Sequence, residues 1–354
     1  MKIVRLLLLL LLALAISWTL NAIGIILPWL FGSMIATFLF IRFISDEFHF
    51  PKWLGNLGIF VIGFEIGSNF TVDAMQEMLG DIWNIFFVSL LIIILSLSLS
   101  VIFMKMTQCT PETALLASVP GALSQMLIMA EEDEKADMLL VTITQMSRIV
   151  LVVILVPFIA SFFAFEPAGA GDGEPAPVLT EVFEPSMLFI VAGAFVLMYI
   201  FKLIRFPVPF LLGPIFAVLI WNIMTGHHFS LNIEFMNVAQ ILFGIRIGRQ
   251  LTSLLYQLNG RMIVSMLIQN ILLILGTLFI AGVYQLFTEH EFNNLFLSAA
   301  PGGIGQLIIV AVEMGADIAM ISSYHIFRIF FIILIVTPLV SWYLGYRRRR
   351  RGEA

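Results

Sequence analysis

An all-α polytopic membrane protein, made of two inverted copies of a five-helix unit that each carry an interrupted Pro-Gly hairpin, is the fold class this sequence predicts. Three observations lead there. Only 12% of the 354 residues are charged while 60% are apolar, against about 25% charged in a soluble domain. Apolar runs close to the ~20 residues that span a bilayer recur along the chain. The sequence also aligns with itself at an offset of 181 residues, the mark of an internal duplication.

The elements follow in order. The first copy has apolar segments at roughly 3–21, 24–44, 53–69, 82–104 and 138–163. The second has them at 185–201, 207–225, 233–248, 261–287 and 317–343. "PWLFGSMIA", which begins at Pro28, lies over "PFLLGPIFA" at Pro209, and "GFEIG" (Gly63–Gly67) over "GIRIG" (Gly244–Gly248). Pro120, Gly121 and Gln125 meet Pro301, Gly302 and Gln306; one deletion later, Asp137 meets Asp317, Gln145 meets His325 and Arg148 meets Arg328. The start, "MKIVRLLLLLLL", has the look of a signal peptide. Its counterpart sits in mid-chain, so the first helix is expected to belong to the fold. The organisation is then a first repeat (1–163), an acidic linker (164–184), a second repeat (185–346) and a basic tail (347–354).

Between the fourth and fifth segments of each copy lies the Pro-Gly phrase, two apolar pieces of about ten residues. Each piece covers about half of a ~30 Å hydrocarbon core at ~1.5 Å per residue. The phrase is therefore either a re-entrant hairpin or a broken helix that crosses. The distribution of Lys and Arg favours the hairpin. With five crossings per copy, Lys2, Arg5, Arg42, Lys52, Lys105, Lys202, Arg205, Arg249, Arg261 and the run Arg347–Arg351 fall on the cytoplasmic side. The linker "FEPAGAGDGEPAPVLTEVFEP", without Lys or Arg, falls outside. Six crossings would move Lys202, Arg205, Arg249 and Arg261 outward. An odd number of crossings inverts the second copy, and both termini are cytoplasmic.

Interrupted segments in inverted repeats are the pattern of secondary transporters. Freed backbone groups at membrane depth need protein or water as partners, and half-helix N-termini suit an anionic group. The candidate solute site is Pro120, Gly121, Gln125, Pro301, Gly302, Gly303 and Gln306, together with Gln145, Arg148, His325 and Arg328 on one face of each fifth helix. An arginine so deep in an apolar helix requires a partner: an anionic solute, a carboxylate, or hairpin carbonyls. His325 is an intramembrane titratable group with a possible proton-linked role. Asp137 and Asp317 begin helices and are read as N-caps. Glu65 and Arg246 are read as interfacial charges or an ion pair. A packing kink is the plainer account of the Pro-Gly phrase.

Enzyme chemistry finds no support. The sequence lacks HExxH, a Walker A loop and a dinucleotide fingerprint. Its single cysteine, Cys109, excludes an internal disulfide and a multi-Cys metal centre. No cofactor, metal or nucleic acid is expected; the arginine run reads as a topology anchor against lipid. The expected partners are the bilayer, a small polar or anionic solute and, as a further option, a second copy of the chain.

At "PWLFG/PFLLG", "GFEIG/GIRIG" and "PGALSQ/PGGIGQ", the chain resembles the AbrB family of bacterial integral membrane proteins. The resemblance runs over essentially the whole chain, though "PGALSQ" lacks the second glycine of "PGGIGQ". It implies a bacterial inner-membrane location. Family members are described as regulators of gene expression or carry the label "putative ammonia monooxygenase", and the resemblance implies no substrate and no catalytic residues. A membrane regulator is thus the alternative to a transporter, with a membrane oxygenase behind both.

Overall fold

The computed structural model describes residues 2–44, 50–121, 123–163, 185–204, 206–225, 229, 231–257 and 260–350. The acidic linker at 164–184, Arg205, His227, His228 and residues 351–354 lie outside the described residues. All regular structure among the described residues is helical. In chain order the helices are α1 (Lys2–Ile23), α2 (Pro28–Phe43), α3 (Lys52–Asn69), α4 (Val72–Gly80), α5 (Ile82–Thr107), α6 (Pro111–Ser118), α7 (Leu123–Glu132) and α8 (Met138–Phe163). Then follow α9 (Pro185–Leu203), α10 (Pro209–Thr225), α11 (Ile233–Gln257), α12 (Gly260–Gln285), α13 (Phe292–Ala299), α14 (Ile304–Met314), α15 (Ile318–Phe331) and α16 (Thr337–Arg350).

Each of the ten apolar segments read from the sequence is helical, and each Pro-Gly phrase lies between two short helices, α6 and α7 or α13 and α14. Among the described residues, five stretches are long and apolar enough to cross a bilayer: Val4–Ile23, Ile82–Thr107, Met138–Phe163, Gly260–Gln285 and Ile318–Arg347. The pair α3 and α4, bent by 84°, makes a sixth if it is one span.

The structure departs from the sequence reading in two places. The third helix of the first copy stops at Asn69 and turns into the unforeseen α4, whereas its counterpart α11 runs on to Gln257. Ser68 Oγ and Asn69 Nδ2 donate to the Glu65 carbonyl at 2.7 and 2.8 Å. Side chains that bind their own backbone compete with the helix. The second copy has Arg249 and Gln250 there, long side chains that favour its continuation. The fifth helix of the second copy is interrupted by a π segment, Ile332–Val336, just before Pro338. Proline lacks the N–H for the regular ladder and its ring crowds the carbonyl four residues back, which a π-bulge accommodates.

The chain forms two compact units that cut across the two repeats. Unit 1 comprises Met1–Gly80, Ala164–Ser253 and Ile308–Met320. Unit 2 comprises Asp81–Phe163, Leu254–Leu307 and Ile321–Ala354. Unit 1 holds two apolar cores that mirror each other. One contains Leu9, Ala13, Ala36, Ile241 and Ile245; the other contains Ile190, Ala194, Ala217, Phe60 and Phe64, which are the same positions with the repeats exchanged. Each core takes its first two helices from one copy and its third from the other.

Glycines make that exchange possible. A Cβ on Gly63 would lie 2.6 Å from the Leu211 carbonyl oxygen, and one on Gly67 would lie 3.0 Å from that of Ile215. Reciprocally, a Cβ on Gly244 would lie 2.5 Å from the Leu30 carbonyl oxygen, and one on Gly248 would lie 2.7 Å from that of Met34. In a medium as apolar as the side chains, such close approach is a principal source of helix association. Leu27 and Val208 also correspond, and both take left-handed backbone before a proline, with φ of 54° and 47°. That conformation is costly for a residue with a branched side chain, so the repeated N-terminal entry into α2 and α10 is over-determined by its surroundings.

Candidate functional site

Unit 2 contains both Pro-Gly turns. A short helix leaves its last four carbonyls without intrahelical partners, and buried ones need donors from the protein. The fifth helix of each copy supplies the donors. At the end of α6, Arg148 donates through Nη2 to the Ala117 carbonyl at 3.0 Å and through Nη1 to that of Val119 at 3.2 Å. Gln145 Nε2 donates to the carbonyls of Leu116 at 3.0 Å and Val119 at 2.8 Å. At the end of α13 the pattern recurs: Arg328 donates to the carbonyls of Ala300, at 2.8 Å, and Ser298. His325 Nε2 lies 2.9 Å from the Leu297 carbonyl. A carbonyl only accepts, so that nitrogen carries the proton.

These contacts match residue for residue across the duplication: 116, 117 and 119 correspond to 297, 298 and 300. His325 thus occupies the place of an amide donor. Of the partners the sequence left open for the two arginines, hairpin carbonyls are the ones present. The arginines are 2% and 3% exposed, and the Nε of each is buried without a hydrogen-bond partner. No carboxylate lies within ion-pair range of either guanidinium among the described residues.

The turns themselves differ. Gly121 has φ of 82°, which favours glycine. At Gly302 the demand is space, since an added Cβ would lie 2.8 Å from Val152 Cγ1. Val152 corresponds to Ile332, the residue nearest an added Cβ on Gly121. Each turn therefore faces the fifth helix of the other copy. Pro120 and Pro301 are buried. Gln306 folds back over Gly303, whose added Cβ would lie 3.2 Å from Gln306 Cδ; Gln125 is half-buried. Near the middle of α5 and α12, Leu95 and the corresponding Gly276 touch each other.

Two other sequence-selected residues cap helices. Asp137 Oδ1 accepts from the Leu140 N–H at 3.0 Å, and Asp317 Oδ1 accepts from the Met320 N–H at 2.9 Å. Both are N-cap geometries. Glu65 and Arg246 belong to unit 1, where the stem of Arg246 runs across Gly55.

Three groups were not singled out from sequence. Asp81 accepts from the Tyr324 hydroxyl at 2.5 Å and lies 3.5 Å from His290 Nε2. Arg347 Nε is 3.1 Å from Glu112 Oε1 at the start of α6. Gln269 Nε2 donates to Ser118 Oγ at 2.7 Å, and Asn270 Nδ2 to Ser147 Oγ at 3.3 Å. Gln269 and Asn270 were legible only as polar residues inside an apolar segment. Neither recurs in the first copy, where Val88 and Ser89 stand.

The helices, apolar spans and paired turns define a membrane-type all-helical protein with an internal duplication. The chain belongs to the AbrB family: the family described as "Transition state regulatory protein AbrB" matches residues 29–344. Among relatives, "Uncharacterized protein YhjN" of Bacillus subtilis (strain 168) is 24% identical over 305 residues, which is 81% of this chain and 77% of that protein. "Putative regulator AbrB" of Escherichia coli (strain K12) is 23% identical over 328 residues, 91% of each chain.

Proposed function

We propose that the protein is a secondary transporter, an importer or exporter of a small polar, anionic solute across the bacterial inner membrane. In this reading it has two inverted five-crossing repeats, two re-entrant hairpins and cytoplasmic termini. The observation that carries it is the charge balance at the Pro-Gly turns. Arg148 and Arg328 sit on the negative ends of α6 and α13, as cations do at helix C-termini. The first turns of α7 and α14, on the far side of each Pro-Gly turn, carry no acidic residue among the described residues. Two buried guanidiniums and two half-helix N-termini therefore leave the turns electropositive, and an anion is the complementary ligand. The arginines act in this site by holding the hairpin ends and supplying field.

The test is flux in proteoliposomes loaded with candidate organic anions, under an imposed proton or sodium gradient. Saturable, gradient-dependent flux that Arg148→Leu and Arg328→Leu abolish supports the reading. Folded protein with no flux and no anion-dependent thermal stabilisation overturns it.

A second reading, a membrane protein that regulates gene expression, rests on the name of the family and of the Escherichia coli relative. Crosslinking in cells separates the two. Capture of a transcription regulator at the cytoplasmic face, lost on removing residues 347–354, favours it.

A further inference from the structure

Beside the first hairpin lies a set of polar groups that neither the helix ends nor the arginines use. Gln269 and Asn270, consecutive on α12, are 3% and 1% exposed. Their amide nitrogens are spent on Ser118 Oγ and Ser147 Oγ. Ser118 lies between the residues whose carbonyls Arg148 holds, and Ser147 adjoins Arg148 in sequence. Gln269 Oε1 and Asn270 Oδ1, however, are buried with no hydrogen-bond partner. An unmet carbonyl oxygen in an apolar medium is costly. Two such oxygens on consecutive residues, whose nitrogens bind serines next in sequence to Arg148 or to the carbonyls it holds, suggest a ligand that supplies the donors.

The class of donor follows from the charge nearby. A metal cation would suit amide oxygens but would lie beside the Arg148 guanidinium, with no carboxylate in ion-pair range of that group among the described residues to offset the repulsion. A neutral O–H or N–H donor meets no such penalty. The second hairpin offers no copy of this pair, because Val88 and Ser89 stand at the corresponding positions of α5.

We propose that Gln269 and Asn270 are specificity-determining residues, and that the solute is an organic anion also bearing a hydroxyl or other neutral hydrogen-bond donor. The anionic group is held at the electropositive turns; the donor is read by Gln269 Oε1 and Asn270 Oδ1. This proposal rests on the anion-transport reading and deepens it: an inorganic oxyanion or a plain carboxylate would leave the two oxygens unmet.

Matched probes test it on the purified full-length protein: lactate against propionate, malate against succinate, and glycolate against acetate, each scored by thermal stabilisation and by competition. The expected result is that a hydroxyl-bearing probe binds at least about tenfold more tightly than its partner, the scale of one buried unmet polar group. Gln269→Met and Asn270→Leu, which keep volume and remove the acceptors, should shrink that ratio towards one while the plain carboxylates bind as before or better. Equal binding of both members of every pair overturns the donor proposal and leaves anion transport standing. Binding by none overturns both. The wild-type ratios need no variant, so a substitution that fails to fold still leaves the proposal decided. Wild-type discrimination that survives both substitutions removes Gln269 and Asn270 from the role.

Discussion

Arg148 and Arg328 are legible in the sequence as buried charges and illegible as to what they hold. A guanidinium three turns into an apolar helix demands a partner, but solute, carboxylate and carbonyl satisfy that demand equally on paper. Geometry selects carbonyls, because the last turns of α6 and α13 present several unpaired oxygens within reach of one planar fork. Arg148→Leu and Arg328→Leu should each lower stability by about 3 kcal/mol, through lost charge-assisted hydrogen bonds and stranded carbonyls. Lysine, with one compact ammonium, should recover less than half of that. Unfolding midpoints in detergent read both. The N-caps are worth less: Asp137→Ala and Asp317→Ala should each cost about 1 kcal/mol and nearly the same amount, since the two copies make the same bond. Cys109 offers a pH test in the link between α5 and α6. Burial pushes its thiol above the ordinary range, with a smaller raise from Asp137 and partial relief from hydrogen bonds. Less of it is thiolate at any given pH, so maleimide labelling should lag a free cysteine standard at pH 7 and climb at higher pH than the standard does. Labelling that tracks the standard would contradict this.

At the scale of elements, periodicity and Pro-Gly punctuation locate the ten apolar segments and the four short pieces beside the Pro-Gly turns, because apolar length and breakers are local signals. Partners are not local. "GFEIG" and "GIRIG" announce close approach, yet nothing in either phrase says that α3 packs on α10 and α11 on α2. The reciprocity gives a paired prediction. Gly63→Val and Gly244→Val each force a side chain into a carbonyl of the opposite repeat, and each should cost about 1–3 kcal/mol. Gly80→Ala, where an added Cβ meets nothing within 4 Å, should leave the unfolding midpoint unchanged. Helix ends were the weak point of the sequence reading. The break at Asn69 and the π segment at Ile332–Val336 arise from side chains competing for particular carbonyls and from Pro338, just past the segment. Apolar periodicity averages over such details.

For the whole molecule, duplication is plain in the sequence, and the compact units are not its two halves. Each unit draws on both copies, and in unit 1 the mirrored cores exchange a helix. Neither repeat can therefore complete its own first core. Residues 1–163 expressed alone should give no cooperative unfolding transition, while co-expression with 185–354 should restore one. A stable, cooperatively unfolding first repeat would contradict the exchange. The proposed orientation is a separate matter, read from the lysine and arginine distribution. Single cysteines placed in a Cys109→Ser background should react with an impermeant maleimide from outside intact cells at 164–184, and at 351–354 only after permeabilisation.

By itself, the sequence determined that the chain is apolar, helical and duplicated, and that each copy is broken at a Pro-Gly phrase ahead of a helix with a buried arginine. All of these are written within tens of residues or in the self-alignment. Only the tertiary structure decided which carbonyls the arginines hold, that the first cores are built from both copies, and that Gln269 and Asn270 come to Ser118 and Ser147 with their oxygens unmet. The physical reason is the same throughout. Hydrophobic patterning specifies that a face is buried but not against what, and the pairing of a buried polar group is settled only when segments 28 to 151 residues apart meet.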